Sequence, residues 1–225
     1  GYEVCGAEEV ARADYILLPL PLDEARTPLA ALLRAAKPGA LALGGKLSAE
    51  AQQIAREAGV ELVDYFTREE LTVRNAIPTA EGCIGILLAQ RSQTLWGSGV
   101  LLAGFGPVGQ ALGVRRAGPR ALAESLGLRS IPLAAVAGAA PAFDTVVNTV
   151  PAPVLTEPVL AALRPGSLIV DLASRPGGTD FAAAQRLGHT AVHALSLPAA
   201  CAPETAGGFV AQTVCAMIQE REGRA

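Results

Sequence analysis

The amino-acid sequence predicts an α/β protein with two doubly wound, Rossmann-like parallel-sheet domains on either side of an interdomain cleft. Three observations lead there. Short apolar runs alternate with helical stretches along the chain, the pattern of a parallel sheet covered on both faces. The second half of the chain resembles the first, segment by segment. One apolar run, Val100-Leu-Leu-Ala103, leads directly into Gly104-Phe105-Gly106-Pro107-Val108-Gly109, a Gly-x-Gly-x-x-Gly turn.

In chain order, the first domain is expected over residues 1–91. It opens at Tyr2-Glu-Val-Cys5 as though an initial strand and helix preceded it. Asp14-Tyr-Ile-Leu-Leu-Pro-Leu-Pro21 reads as a strand and matches Asp144-Thr-Val-Val-Asn-Thr-Val-Pro151. A short helix follows, then Lys37-Pro-Gly39 and a second strand, matched by Arg164-Pro-Gly166 and Leu168-Ile-Val170. The helix of residues 51–58, Gly59 and the strand Val60-Glu-Leu-Val63 find counterparts in residues 183–187, Gly188 and His189-Thr-Ala-Val192.

Residues 71–82 are where the first domain hands over to the second. Pro78-Thr79 is expected to open a buried crossing helix, with Thr79 as cap and Glu81 in its first turn. Read from the residues alone, Arg74, Asn75 and Thr79 are either a loop and a helix cap, or groups that hold a carboxylate and orient substrate or cofactor.

The second domain is expected over residues 92–206 as the dinucleotide-binding unit. Gly104 permits the tight turn out of the strand, and Gly106 lets backbone approach a pyrophosphate. Gly109 lets the next helix pack on the sheet with its first amides aimed at the phosphates. Only Gln110-Ala-Leu-Gly113 then precedes Val114-Arg115-Arg116. A Rossmann unit needs about a dozen helical residues there, so the shortfall is read as missing residues rather than a shortened fold. Arg115 and Arg116 stand where a second strand should end, a place where arginine accommodates the extra phosphate of NADP, which is favoured over NAD.

Asn148 and Thr149 end another strand of this domain, near where a nicotinamide would rest. Residues 171–181, Asp-Leu-Ala-Ser-Arg-Pro-Gly-Gly-Thr-Asp-Phe, sit at the carboxyl end of a central strand, where open α/β sheets bind ligands. Thr179 or Asp180 is expected to cap the next helix, and Gly177-Gly178 reads as a turn. Ser174 and Arg175 have no such structural reason and are read as ligand contacts. His189 is expected to face solvent and His193 to be a hydrogen-bonded structural partner rather than a base. Pro203-Glu204-Thr205 opens a last helix; residues 207–225 are expected to return to the first domain.

Composition excludes several classes. With 225 residues, 51% hydrophobic and 17% charged, the chain can bury an ample core. No run of about 18 apolar residues is uninterrupted, so no membrane span is expected. The net charge of -3 points to neither nucleic acid nor an anionic membrane. Cys5, Cys83, Cys201 and Cys215 are scattered and two histidines cannot complete a zinc site, so no metal is expected, and the thiols are read as reduced, in a cytosolic protein. The first residues carry no secretion signal.

Four segments together resemble the family of the A-type subunit of dipicolinate synthase: residues 74–82, Arg-Asn-Ala-Ile-Pro-Thr-Ala-Glu-Gly; the glycine turn 104–109; residues 171–181; and Ala202-Pro-Glu-Thr-Ala-Gly207. The resemblance implies NADP-dependent oxidation of dihydrodipicolinate to dipicolinate during sporulation. It also implies a separate, flavoprotein-like B-type subunit of dipicolinate synthase as partner and a place in the mother-cell cytoplasm; a homo-oligomer is expected. Dihydrodipicolinate is a small cyclic dicarboxylate, so Arg74, Arg175 and Ser174 are the candidates to hold it, with Asn75 orienting and Glu81 or a water taking the proton. Pro198-Ala-Ala-Cys201 departs from the family's Pro-Gly-Lys, which removes a lysine that could have met a substrate carboxylate. Two rival readings remain: another two-domain NAD(P)-dependent dehydrogenase of a hydroxy or amino acid, and a nucleotide-sensing protein without chemistry of its own.

Overall fold

Alternating side chains on the central strands explain why this chain folds in layers. The computed structural model describes residues 3, 6–22, 26–96, 98–113 and 131–223. They group into two units, residues 1–72 with 208–225, and residues 73–207.

In the first unit β1 (Tyr15–Leu17), β2 (Leu41–Gly44) and β3 (Glu61–Asp64) form a parallel sheet in that order. Every residue of β2 is buried, because both faces are covered. Ala42 points into a core with Leu29 and Leu33 of α1 (Leu29–Ala35) and Ala51 and Ala55 of α2 (Ala49–Ala58). Leu41 and Leu43 point the other way, against Leu71 of α3 (Glu69–Gln90) and Val214 and Ile218 of the last helix. Ser48 caps α2 by accepting from the Ala51 amide at 2.9 Å, and Gly59 ends it at φ 68°.

The second unit holds β4 (Val100–Ala103), β5 (Thr145–Asn148), β6 (Leu168–Asp171) and β7 (Thr190–His193), all parallel and in that order. Val146 and Ile169 face a core with Leu155, Leu160 and Ala183. Val147, Leu168 and Val170 face the opposite core, with Cys83, Leu87 and Leu197. Its helices are α4 (Pro107–Gly113), α5 (Val136–Ala139), α6 (Glu157–Ala161), α7 (Phe181–Arg186) and α8 (Leu197–Cys201), before α9 (Pro203–Arg221).

The internal repeat is real. The Leu41 amide donates to the Asp14 carbonyl and the Leu168 amide to the Asp144 carbonyl, each at 2.9 Å. These equivalent bonds start β2 and β6 after equivalent turns, with Gly39 at φ 80° and Gly166 at φ 74°.

Two expectations are corrected. Pro78-Thr79 does not open a helix: α3 begins at Glu69 and runs through Pro78, and the Thr79 hydroxyl donates to the Asn75 carbonyl at 2.7 Å instead of capping. A proline cannot supply the amide that the Arg74 carbonyl would accept. The helix persists because Ala76, Ala80, Cys83 and Leu87, at helical spacing on either side of Pro78, are all buried. His189 does not face solvent either. It is buried, with Nε2 at 2.9 Å from the Leu160 carbonyl, so the ring ties the end of α6 to the start of β7. The glycine turn leads into α4, seven residues long and ending at Gly113, where the described stretch stops; Arg115 and Arg116 lie outside the described residues.

Candidate functional site

Register brings the last residues of four strands side by side. Ala103 pairs with Asn148, Asn148 with Asp171, and Asp171 with His193. The loops that leave these positions carry most of the residues singled out from sequence, at the carboxyl edge of the sheet of the second unit.

Gly104 takes φ 96°, a conformation that strongly favours glycine, as the chain turns out of β4. A β-carbon there would also meet the Thr149 hydroxyl. The Thr149 amide and hydroxyl both donate to the Ala103 carbonyl, at 2.8 and 3.0 Å, so Thr149 holds the turn from the neighbouring strand. Gly109, the first buried residue of α4, packs on the Gly104 carbonyl with no room for a side chain. Gly106 is exposed and has open space where a side chain would begin. Phe105 and Val108 are half-buried and Pro107 exposed; Gln110 braces the turn by donating from Nε2 to the Phe105 carbonyl at 3.1 Å.

Asn148 is fully buried, and its side chain is spent within the protein. Its Nδ2 donates to the Val150 carbonyl at 3.0 Å and to Asp171 Oδ1 at 2.9 Å, while Oδ1 accepts from the Val150 amide at 3.0 Å. Asp171, also fully buried, accepts further from the Ala173 amide on Oδ1 and the Gly178 amide on Oδ2, each at 2.9 Å. Three donors around one carboxylate satisfy its oxygens away from water. Gly178 lies against the Val150 and Ala152 carbonyls and Asn148 Nδ2, so the loops after β5 and β6 are joined at a point where only glycine fits.

Within that frame Ser174 and Arg175 are exposed at the tip of the loop, and the Gly177 amide closes the turn on the Ser174 carbonyl at 2.8 Å. Asp180, not Thr179, caps α7, accepting from the Ala183 amide at 2.9 Å. Thr179 Oγ1 is buried without a partner among the described residues. His193 Nε2 lies 2.9 Å from the Ala173 carbonyl, the structural role expected of it.

Arg74, Asn75, Thr79 and Glu81 all fall on α3. Arg74, Asn75 and Thr79 are half-buried, Glu81 is exposed, and Asn75 Oδ1 is enclosed without a partner among the described residues. One contact of this stretch runs to α8, where Cys201 Sγ donates to the Pro78 carbonyl at 3.0 Å. Asp171 and His193 are the strand-end residues of this row to which sequence reading assigned no role in binding or catalysis. The available signal was a charged or aromatic polar residue closing an apolar strand, but which strand ends meet is a matter of register.

No family model matches the chain. It is 34% identical over 196 residues to the A-type subunit of dipicolinate synthase from Bacillus subtilis (strain 168), a match covering 80% of this chain and 66% of that protein. The chain thus spans about two thirds of the length of this curated relative. The crystal structure of the same type of dipicolinate synthase chain from Bacillus subtilis superposes with a TM-score of 0.85 at 27% identity, covering 98% of this chain and 83% of that one. A transhydrogenase from Sinorhizobium meliloti, at 18% identity and a TM-score of 0.73 over 98% of this chain and 78% of its own, shares the fold. The chain belongs to the family of the A-type subunit of dipicolinate synthase.

Proposed function

We propose that this chain is an NADP-linked oxidoreductase that converts dihydrodipicolinate to dipicolinate. The observation that carries the reading is the shared edge of β4, β5 and β6, where the glycine turn, Thr149 and the Ser174-Arg175 loop are locked together.

The glycine turn fits a dinucleotide. Gly104 needs its positive φ, Gly109 needs its lack of a side chain, and the space over Gly106 is open where a diphosphate would lie. NADP, when bound, supplies the acceptor for the hydride that the substrate loses. The preference for NADP over NAD rests on Arg115 and Arg116 in the sequence. Gly104, Phe105, Gly106, Pro107, Val108 and Gly109 hold the cofactor, with Thr149 fixing the turn. Asn148 acts from beneath, by holding Val150 and Asp171 in place.

Going from dihydrodipicolinate to the aromatic pyridine removes one hydride and one proton, and aromatisation supplies driving force. The protein's task is orientation and proton removal. Arg175 and the Ser174 hydroxyl, both exposed at the loop tip, meet carboxylate oxygens of the substrate, and Arg74 and Asn75 offer further donors from α3. Glu81, exposed on the same helix, or a water takes the proton. The reading includes the flavoprotein-like B-type subunit of dipicolinate synthase as partner, a homo-oligomeric state and action in the mother cell of a spore former. No helix among the described residues is long and apolar enough to cross a membrane.

Calorimetric titration with NADPH tests the first step, and NADPH formation from dihydrodipicolinate, with and without the B-type partner, tests the second. Absence of binding at millimolar cofactor would remove the oxidoreductase reading. Turnover of simple 2-hydroxy acids with none of dihydrodipicolinate would favour a different dehydrogenase.

A further inference from the structure

We propose that His193 is a positioning residue for the loop that presents Ser174 and Arg175, acting through the Ala173 carbonyl. The inference rests on the reading that this loop meets the substrate, and adds a residue that reading does not use.

The loop from Leu172 to Gly178 is held from two sides. On one side Asp171 accepts from the amides of Ala173 and Gly178, its two ends, at 2.9 Å each. On the other, His193 Nε2 meets the carbonyl of Ala173 at 2.9 Å. A carbonyl can only accept, so Nε2 carries the hydrogen and the bond fixes the tautomer. Ala173 is therefore gripped at both its amide and its carbonyl, directly before Ser174. The imidazole is itself held in place: it stacks on Phe181, with ring centroids 5.2 Å apart and an interplanar angle of 27°. Gly177, at φ 89°, lies against its edge, with a β-carbon there reaching 3.4 Å from Cε1 and Nε2. Phe181 follows the α7 cap Asp180, so the helix start, the ring and the loop form one assembly.

Nothing in the fold of β7 requires this arrangement. A histidine serving only as strand filler would do as well with its polar edge toward solvent. Here the polar edge faces the peptide next to Ser174, and the flat face is occupied by Phe181. Orientation of the loop tip is what such a contact controls, and small displacements of a substrate-holding group are expensive for binding and rate.

The test measures binding of pyridine-2,6-dicarboxylate by calorimetry in the presence of NADP, with NADPH affinity and thermal melting measured in parallel. The proteins are wild type, Arg175→Ala, His193→Phe, His193→Gln, His193→Asn and Arg175→Ala/His193→Phe. His193→Phe keeps the stacking and loses the hydrogen bond, so dicarboxylate affinity should fall about tenfold or more, with NADPH affinity within about twofold of wild type. Should His193→Phe fail to fold, His193→Asn, too short to reach the carbonyl, should show the same loss. His193→Gln, whose amide reaches the distance of Nε2, should recover most of it. The double variant should lose clearly less affinity than the product of the two single losses, because both changes act through one loop, with only the Ser174 contact left to be displaced. Undiminished binding in both His193→Phe and His193→Asn, or losses that multiply in the double variant, would overturn the role of His193 and leave the substrate reading standing. Wild type and Arg175→Ala binding equally, or neither binding, would overturn the substrate reading and this inference with it.

Discussion

The side-chain amide of Asn148 donates to the carboxylate of Asp171 at 2.9 Å, and neither residue exposes any surface to solvent. This bond ties the ends of β5 and β6, from which the two site loops depart. Asn148→Ala would strip Asp171 of one donor and leave the amide and carbonyl of Val150 without their side-chain partners. Breaking a buried, charge-assisted network from one side costs about 2–4 kcal/mol. Urea unfolding at neutral pH should show a loss in that range; a change under about 0.5 kcal/mol would mean the network is not stabilising.

Two glycines of the turn should behave in opposite ways. Gly104→Ala forces a side chain into φ 96° and onto Thr149, and should lose about 1–3 kcal/mol of stability. Gly106→Ala meets open space and should stay within about 0.5 kcal/mol of wild type. Its NADPH affinity should nonetheless fall on the order of tenfold, about 1.4 kcal/mol, if a diphosphate lies there. Unchanged affinity in Gly106→Ala would move the cofactor elsewhere.

Gly178→Ala would press a methyl group onto the Val150 and Ala152 carbonyls, which are backbone and cannot rotate away. Overpacking of this kind costs about 1–3 kcal/mol. The loop carrying Ser174 should shift with it, so thermal stability and dicarboxylate affinity should fall together.

Burial pushes the Cys83 thiol up to about 12, well above its ordinary value. The folded state therefore keeps this group neutral while the unfolded chain ionises it once the pH passes about 8.5. The stabilisation is complete below that pH and is lost as pH rises toward the folded value, at up to about 1.4 kcal/mol per pH unit. Wild type should lose stability between about pH 9 and 11 more steeply than Cys83→Ala, even though the variant starts lower through its cavity. Parallel pH slopes would show that another group governs alkaline unfolding.

The repeated strand–helix–strand–helix–strand units were legible because strands buried on both faces read as unbroken apolar runs. Lys37-Pro-Gly39 and Arg164-Pro-Gly166 marked equivalent turns between them. Gly104 and Gly109 were legible for a similar reason: a turn and a close approach each demand glycine locally. Pro78 misled, since proline favours the first turn of a helix and the burial that carries α3 past it depends on distant residues. His189 misled because its partner, the Leu160 carbonyl, lies 29 residues earlier.

Periodicity and glycine placement were sufficient to specify two parallel sheets, a nucleotide-type turn and the loop that carries Ser174 and Arg175, since each of these is a constraint on neighbouring residues. They could not specify that Asn148, Asp171 and His193 stand in one row, or that the side-chain amide of Asn148 bonds Val150 and Asp171. Asn148 and Asp171 are 23 residues apart. Whether they meet depends on strand register, and register is set by the packing of both sheet faces rather than by any local pattern.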